Sequence, residues 1–232
     1  MTTGGGKHED VGAALEAKLQ GDTFSCVAGK TAWLRGSMVH RHFGPMGESA
    51  TTDELSAAVT DFALRRDDID QLLATFVATF DGPFGLDEAD FEALVWDQLQ
   101  GLHDRDVRWF AWADLAEPDP ASDRFAFSIA QQAFFVVGMH ASASRITRRF
   151  SYPTLVFNSH VQFERLRERG IYGRIRNEVR SREMALQGSI NPNLSDFGER
   201  SEALQYSGRA TSPDWICPFR PCTDGLDRED AR

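Results

Sequence analysis

The run from Ala133 to Met139 (Ala-Phe-Phe-Val-Val-Gly-Met) is apolar throughout and ends at His140. It is too short to span a membrane. Its aromatic and β-branched residues read as a strand buried inside a domain. Such a strand delivers the His140 imidazole to the edge of an apolar interior. Arg145, Arg148 and Arg149 follow within a few residues. An imidazole at a strand end is more often structural, and arginines are more often solvated, so the local pattern leaves two readings open. In the functional one, His140 is a metal ligand and the three arginines bind acidic groups. That set suits haem, whose plane needs apolar walls, whose iron needs a ligand and whose propionates need cations.

Other segments have readable local structure. Residues 10 to 20 can form a short helix, and Phe24 to Lys30 is a compact apolar stretch. Thr51-Thr-Asp-Glu54 has capping-box spacing ahead of Leu55, Val59 and Phe62. Leu72 to Phe80 reads as a strand, and Asp87 to Leu102 as the clearest helix, with acids crowding its first turn. Phe125, Phe127 and Ile129 alternate. Ala130-Gln131-Gln132 then turns the chain into the 133–139 run, which predicts a hairpin. Thr154 to Phe157 is a third strand, followed by helices after His160 and over residues 172 to 186. No repeat or linker interrupts this order. The expected fold is one α+β domain over residues 10 to 222, with helices packed on a mainly antiparallel sheet. Residues 1–9 and 223–232 are expected to be disordered.

Composition narrows the function. A formal charge of −10 argues against a general nucleic-acid binder. Acids crowd the stretch from Asp53 to Asp123, whereas ten arginines fall between Arg145 and Arg182. That asymmetry suits two faces that meet, or one face for an anionic ligand. Three cysteines, Cys26, Cys217 and Cys222, with no apolar leader point to free thiols in a reducing, cytoplasmic setting. No phosphate-binding loop, HExxH or CxxC occurs. His40 and His42 alternate in a possible strand, which leaves a metal-dependent amide or guanidine hydrolase as one reading.

Four segments together carry a family resemblance. They are Phe24-Ser-Cys26-Val-Ala-Gly-Lys30, the 135–150 stretch around His140, Val156-Phe-Asn-Ser-His160-Val-Gln-Phe-Glu164, and the long motif from Ile175 to Cys217. They resemble the YqcI/YcgG family over nearly all of the chain, most closely its branch of haem-dependent N-hydroxylases. Departures are small: Ala141 and Ser159 stand where the family often has Pro, and Glu183 where it has Asp.

The resemblance implies haem b, dioxygen as co-substrate and an external electron donor. It implies a small amino-acid-like substrate, with arginine favoured, and a redox partner of the ferredoxin or flavin-reductase kind. A non-catalytic haem carrier or sensor is the alternative. His140 is the expected axial ligand, with His160 and Cys26 next in order. A thiolate from Cys26 would make the iron resemble a P450 centre. The polar stretch from Gln187 to Arg209 is the expected substrate loop. There Asp196, Glu199 and Glu202 can hold a guanidinium, Arg209 a carboxylate, and Asn191 and Tyr206 can bond near the reacting nitrogen. Neither nucleic acid nor membrane is an expected partner, and a homodimer is the expected assembly.

Overall fold

The computed structural model describes residues 5–222, with side chains from residue 11 onward. Residues 1–4 and 223–232, expected to be disordered, lie outside the described residues. Among the described residues five strands form one sheet: β1 (Met38–Phe43), β2 (Thr75–Phe80), β3 (Phe127–Ile129), β4 (Gln132–Met139) and β5 (Thr154–Ser159). Their order is β1-β2-β5-β4-β3. Only β1 and β2 run parallel; the other neighbours are antiparallel, as expected for this α+β fold. The parallel pair requires a crossover, which helix α3 (Ser49–Ile69) supplies.

Helices α1 (Gly5–Gln20), α2 (Val27–Leu34), α4 (Glu88–Asp106), α5 (His160–Glu168) and α6 (Tyr172–Gln187) complete the main layers, with a short α7 (Ala203–Tyr206). The Asp87 carboxylate accepts from Ala89 and Asp90 N–H at the start of α4, the cap its acidic first turn predicts. The capping box at Thr51 does not form. α3 begins earlier, at Ser49, and the Thr52 hydroxyl instead donates to the Glu48 carbonyl at 2.9 Å. α1 likewise begins earlier than its reading from residue 10: residues 5–9, expected to be disordered, are its start. Ala130 and Gln131 have φ of +51° and +57°. Both central residues of the β3–β4 turn are therefore left-handed, which matches the twist of a two-residue hairpin.

The sheet is covered on both faces. On one, Phe76, Phe80, Phe134 and Phe157 meet Val59 and Phe62 of α3 and Phe91 and Leu99 of α4. Burying each phenyl ring fully is worth roughly 1.5–3 kcal/mol. On the other, Val77 and Met139 meet Leu15 and Leu19 of α1. Side chains alternate along a strand, so neighbours in one apolar run serve different layers. Among the described residues, no helix is long and apolar enough to cross a membrane.

Candidate functional site

The second face of the sheet is incompletely filled. Two cavities, of about 190 and 180 Å³, lie there and share four wall residues: Cys26, Phe135, Val179 and Leu194. The first has a mainly apolar wall built from Leu15, Leu19, Val77, Val137, Met139 and Val156, with Cys26, Arg148 and Glu183 as its reactive or charged groups. The second contains Tyr172, Arg176, Arg180, Asp196 and Glu202. A larger surface groove, about 900 Å³, runs between the 118–121 loop and residues 211–221. It touches neither the strand residues nor the arginines at issue.

Cys26 is placed by local geometry. It is extended at φ −73°, ψ 100°, and its Sγ accepts the Gly29 N–H at 3.3 Å as the N-cap of α2. Ser25 anchors the segment: its N–H donates to the Thr147 hydroxyl at 3.1 Å, and the two hydroxyls share a 2.8 Å bond. Burial pushes the Cys26 thiol up, while the N–H groups of Gly29 and Ala28 and the charge of Arg148 pull the other way.

Arg148 is a cation fixed in the wall. It donates to the carbonyls of Gly138 at 3.0 Å, Tyr206 at 3.1 Å and Gln205 at 3.0 Å. Its stem crosses Gly208, at φ +85°, where a Cβ would lie 3.4 Å from Arg148 Cγ. Burial lowers its pKa to about 10, against the opposing pull of Glu183 and Cys26.

In the second cavity, Asp196 receives Arg176 and also Arg180, the latter at 3.3 Å. Glu202 and His160 make a buried pair, Oε2 to Nε2 at 2.9 Å. Burial raises the Glu202 carboxyl and the bond to His160 opposes that rise. Phe197 and Phe163 enclose the imidazole.

The remaining sequence-predicted residues are dispersed. His140 lines neither cavity. Phe135, Val137 and Met139 face the cavities, so strand alternation turns His140 to the opposite face. There its ring stacks on Phe91 at 4.2 Å and bonds the Leu86 backbone. Arg145 is committed to Glu183 at 3.2 Å and to the Ser189 carbonyl at 2.6 Å. Arg149 donates to the Ala143 carbonyl at 2.7 Å. Of the expected propionate clamp, only Arg148 reaches a cavity.

In the polar loop, Asp196 and Glu202 line the second cavity and the others do not. Asn191 closes a turn by accepting the Asn193 N–H at 3.0 Å. Glu199 accepts the Asp196 N–H at 3.0 Å. Tyr206 pins the hairpin, accepting from Phe127 N–H at 2.9 Å and donating to the Phe134 carbonyl at 3.0 Å. Arg209 is bound by the buried Glu92, which also accepts from Ser207 at 2.9 Å and Trp215 at 3.2 Å. His40 and His42 share the Thr79 hydroxyl, at 2.9 and 3.0 Å. Among the described residues, no three His, Cys, Asp or Glu side chains group to hold a metal ion.

Sequence reasoning gave Arg176, Val179, Arg180 and Glu183 no part in the site. Their signal was the i,i+4 rows Arg176–Arg180 and Ile175–Val179–Glu183, which put apolar and charged residues on one helix face.

The profile of the YqcI/YcgG family matches residues 15–220. The chain belongs to the YqcI/YcgG family. It is similar to YcgG of Bacillus subtilis (strain 168), an uncharacterised protein, at 26% identity over 208 residues, 85% of this chain and 81% of the relative. No solved structure matches the chain. The family match covers every element that builds the two cavities except the N-terminal part of α1.

Proposed function

We propose that this YqcI/YcgG-family protein is a cytoplasmic haem-dependent monooxygenase that N-hydroxylates a guanidine or amide nitrogen of a small amino acid, arginine first among them. The observation that carries this reading is the Cys26 thiol, set in the wall of an apolar cavity beside the buried cation of Arg148.

The chemistry of the lining supports the group. Leu15, Val77, Val137 and Met139 offer the apolar surface a flat macrocycle needs, and Arg148 offers a cation. Arg176 and Arg180, whose buried Nε atoms have no partner in the fold, line the adjoining cavity. Neither cavity alone reaches the ~300–1,000 Å³ of ordinary ligand sites. The two adjoin, and the wall between them includes the side chains of Val179 and Leu194.

Of the three ligand candidates, Cys26 is the one whose side chain lines a cavity, so Cys26 takes the place expected of His140. Cys26 would hold the iron through sulfur, giving up its proton on coordination. When bound, haem supplies an iron that activates dioxygen for insertion of one oxygen atom into an N–H bond. The balance is one N–H, one dioxygen, two electrons and two protons, giving N–OH and water. The electrons come from an external donor of the ferredoxin or flavin-reductase kind. Glu202 presents a carboxyl at the cavity for a guanidinium, and His160 holds that carboxyl in place. Phe135, Phe163 and Phe197 exclude water from the reacting end.

The test is direct. Protein expressed with haem supply is examined for a Soret band, then given arginine, reductant and labelled dioxygen. A product heavier by about sixteen mass units, or about eighteen with the label, is expected of monooxygenation. Haem uptake without oxygen-dependent turnover of any nitrogen-bearing amino acid makes the protein a haem carrier or sensor. Label entering from water overturns the reaction class.

A further inference from the structure

We infer that Arg176 and Arg180 form a carboxylate-recognition pair, so that the second cavity selects small molecules bearing a carboxylate over the corresponding bare amines. The inference deepens the reading above, on which it rests for the identity of the reacting end, but it stands on separate geometry.

The two arginines are one turn apart on α6, which puts both guanidinium groups on the same face. Asp196 is shared between them: Arg176 gives Nη1 to Oδ2, and Arg180 gives Nη2 to Oδ1 at 3.3 Å. One anion thus aligns two cations, and with Arg167 and Glu202 also in the wall the cavity has three cations against two acids. Each arginine keeps a buried Nε–H without a partner in the fold. A buried donor left unpaired is costly, and a carboxylate drawn to the pair offers these guanidinium groups charge-assisted bonds that one shared Asp196 does not exhaust. Arg145 also carries an unpartnered Nε, but lines neither cavity. Arg209, the cation the sequence suggests for this task, is already held by Glu92.

The cavity gives such a ligand a direction. Arg176, Arg180 and Asp196 stand on α6 and the polar loop, whereas Cys26 and Phe135 form part of the boundary with the first cavity. Glu202 is a second acid in the same walls, available to a cationic or amide nitrogen. A molecule with a carboxylate at one end and a guanidine or amide at the other matches both sets.

The experiment compares pairs that differ only by the carboxylate: L-arginine against agmatine, and L-glutamine against 4-aminobutanamide. Binding to the full chain is measured by calorimetry, with and without haem. Wild type is expected to favour a carboxylate-bearing member by roughly tenfold or more, the scale of a charge-assisted contact. Arg176→Gln and Arg180→Gln should abolish that preference while binding of the amine is unchanged. Arg180→Lys should keep part of it, and Arg182→Gln, paired outward with Glu178, should keep all of it. Equal binding within each pair, no binding of either carboxylate, or equal weakening of both members in the glutamine variants overturns the inference. A carboxylate preference in a protein that neither takes up haem nor consumes oxygen leaves the subsite standing and removes the proposed function. Oxidation of agmatine as readily as arginine does the reverse.

Discussion

Cys26 Sγ accepts the backbone N–H of Gly29 at 3.3 Å, so one residue both caps α2 and belongs to the wall common to both cavities. The two roles separate by substitution. Serine caps a helix well, and loss of a cap to alanine costs about 1 kcal/mol. Cys26→Ser should keep the thermal midpoint near wild type and change the haem spectrum, or lose haem. His140→Ala should retain the wild-type Soret band, because His140 stacks on Phe91 on the opposite face. The reverse pair of spectra returns the ligand role to His140.

Tyr206 ties protein backbone together beside the Glu202 carboxyl. Its hydroxyl joins Phe127 and Phe134 inside the core. Tyr206→Phe leaves a buried N–H and a buried carbonyl short of a partner, at about 1–3 kcal/mol. Urea unfolding should show that loss. Normal stability in the variant would show that these two bonds do not hold the core.

Gly138 lets β4 approach α4 and the α7 segment. A Cβ there would lie 2.9 Å from the Phe91 ring and 3.1 Å from the Tyr206 carbonyl. The carbonyl is backbone and cannot swing away. Gly138→Ala should therefore destabilise the fold by about 1–3 kcal/mol, the usual penalty for overpacking. A variant that unfolds at the wild-type urea midpoint would show that the layers have room to part.

Asp106 makes stability depend on pH. Its carboxylate accepts the Ala130 N–H at 2.8 Å beneath the hairpin turn, and burial pushes its pKa from 3.8 up to about 6. The folded state holds this proton more tightly than the unfolded one. Its contribution is fully present below about 3.8, falls as pH rises through about 6, and is gone above that. Each pKa unit is worth about 1.4 kcal/mol, so the total is about 3 kcal/mol. Asp106→Asn keeps an acceptor without the titration. Relative to that variant, the wild type should lose stability between pH 4 and pH 7. A difference that is flat across this range would show that Asp106 does not titrate there.

Much of the local structure was legible from short-range chemistry. The acidic first turn announced α4, and turn residues between two apolar runs announced the β3–β4 hairpin. Each signal depends on residues a few positions apart, so it survives without knowledge of the fold. The family motifs likewise lie along the chain, and the match over residues 15–220 follows from them.

The site was not legible in the same way. The run from Ala133 to Met139 is apolar at every position because helices cover both faces of the sheet. With no polar alternation, the sequence carries no mark of which parity meets the cavity, and His140 fell on the other side. The arginines posed the same difficulty: Arg145, Arg148 and Arg149 are neighbours in sequence, yet one meets Glu183, one meets three carbonyls and one meets the Ala143 turn. Sequence by itself determined most of the elements and the family, since these are written in local pattern, but not α2 or α7. Only the tertiary structure decided which charges are cancelled by distant partners and which still face a cavity. Those partners, Glu92 for Arg209 and Asp196 for Arg176 and Arg180, meet through packing, which spacing along the chain does not encode.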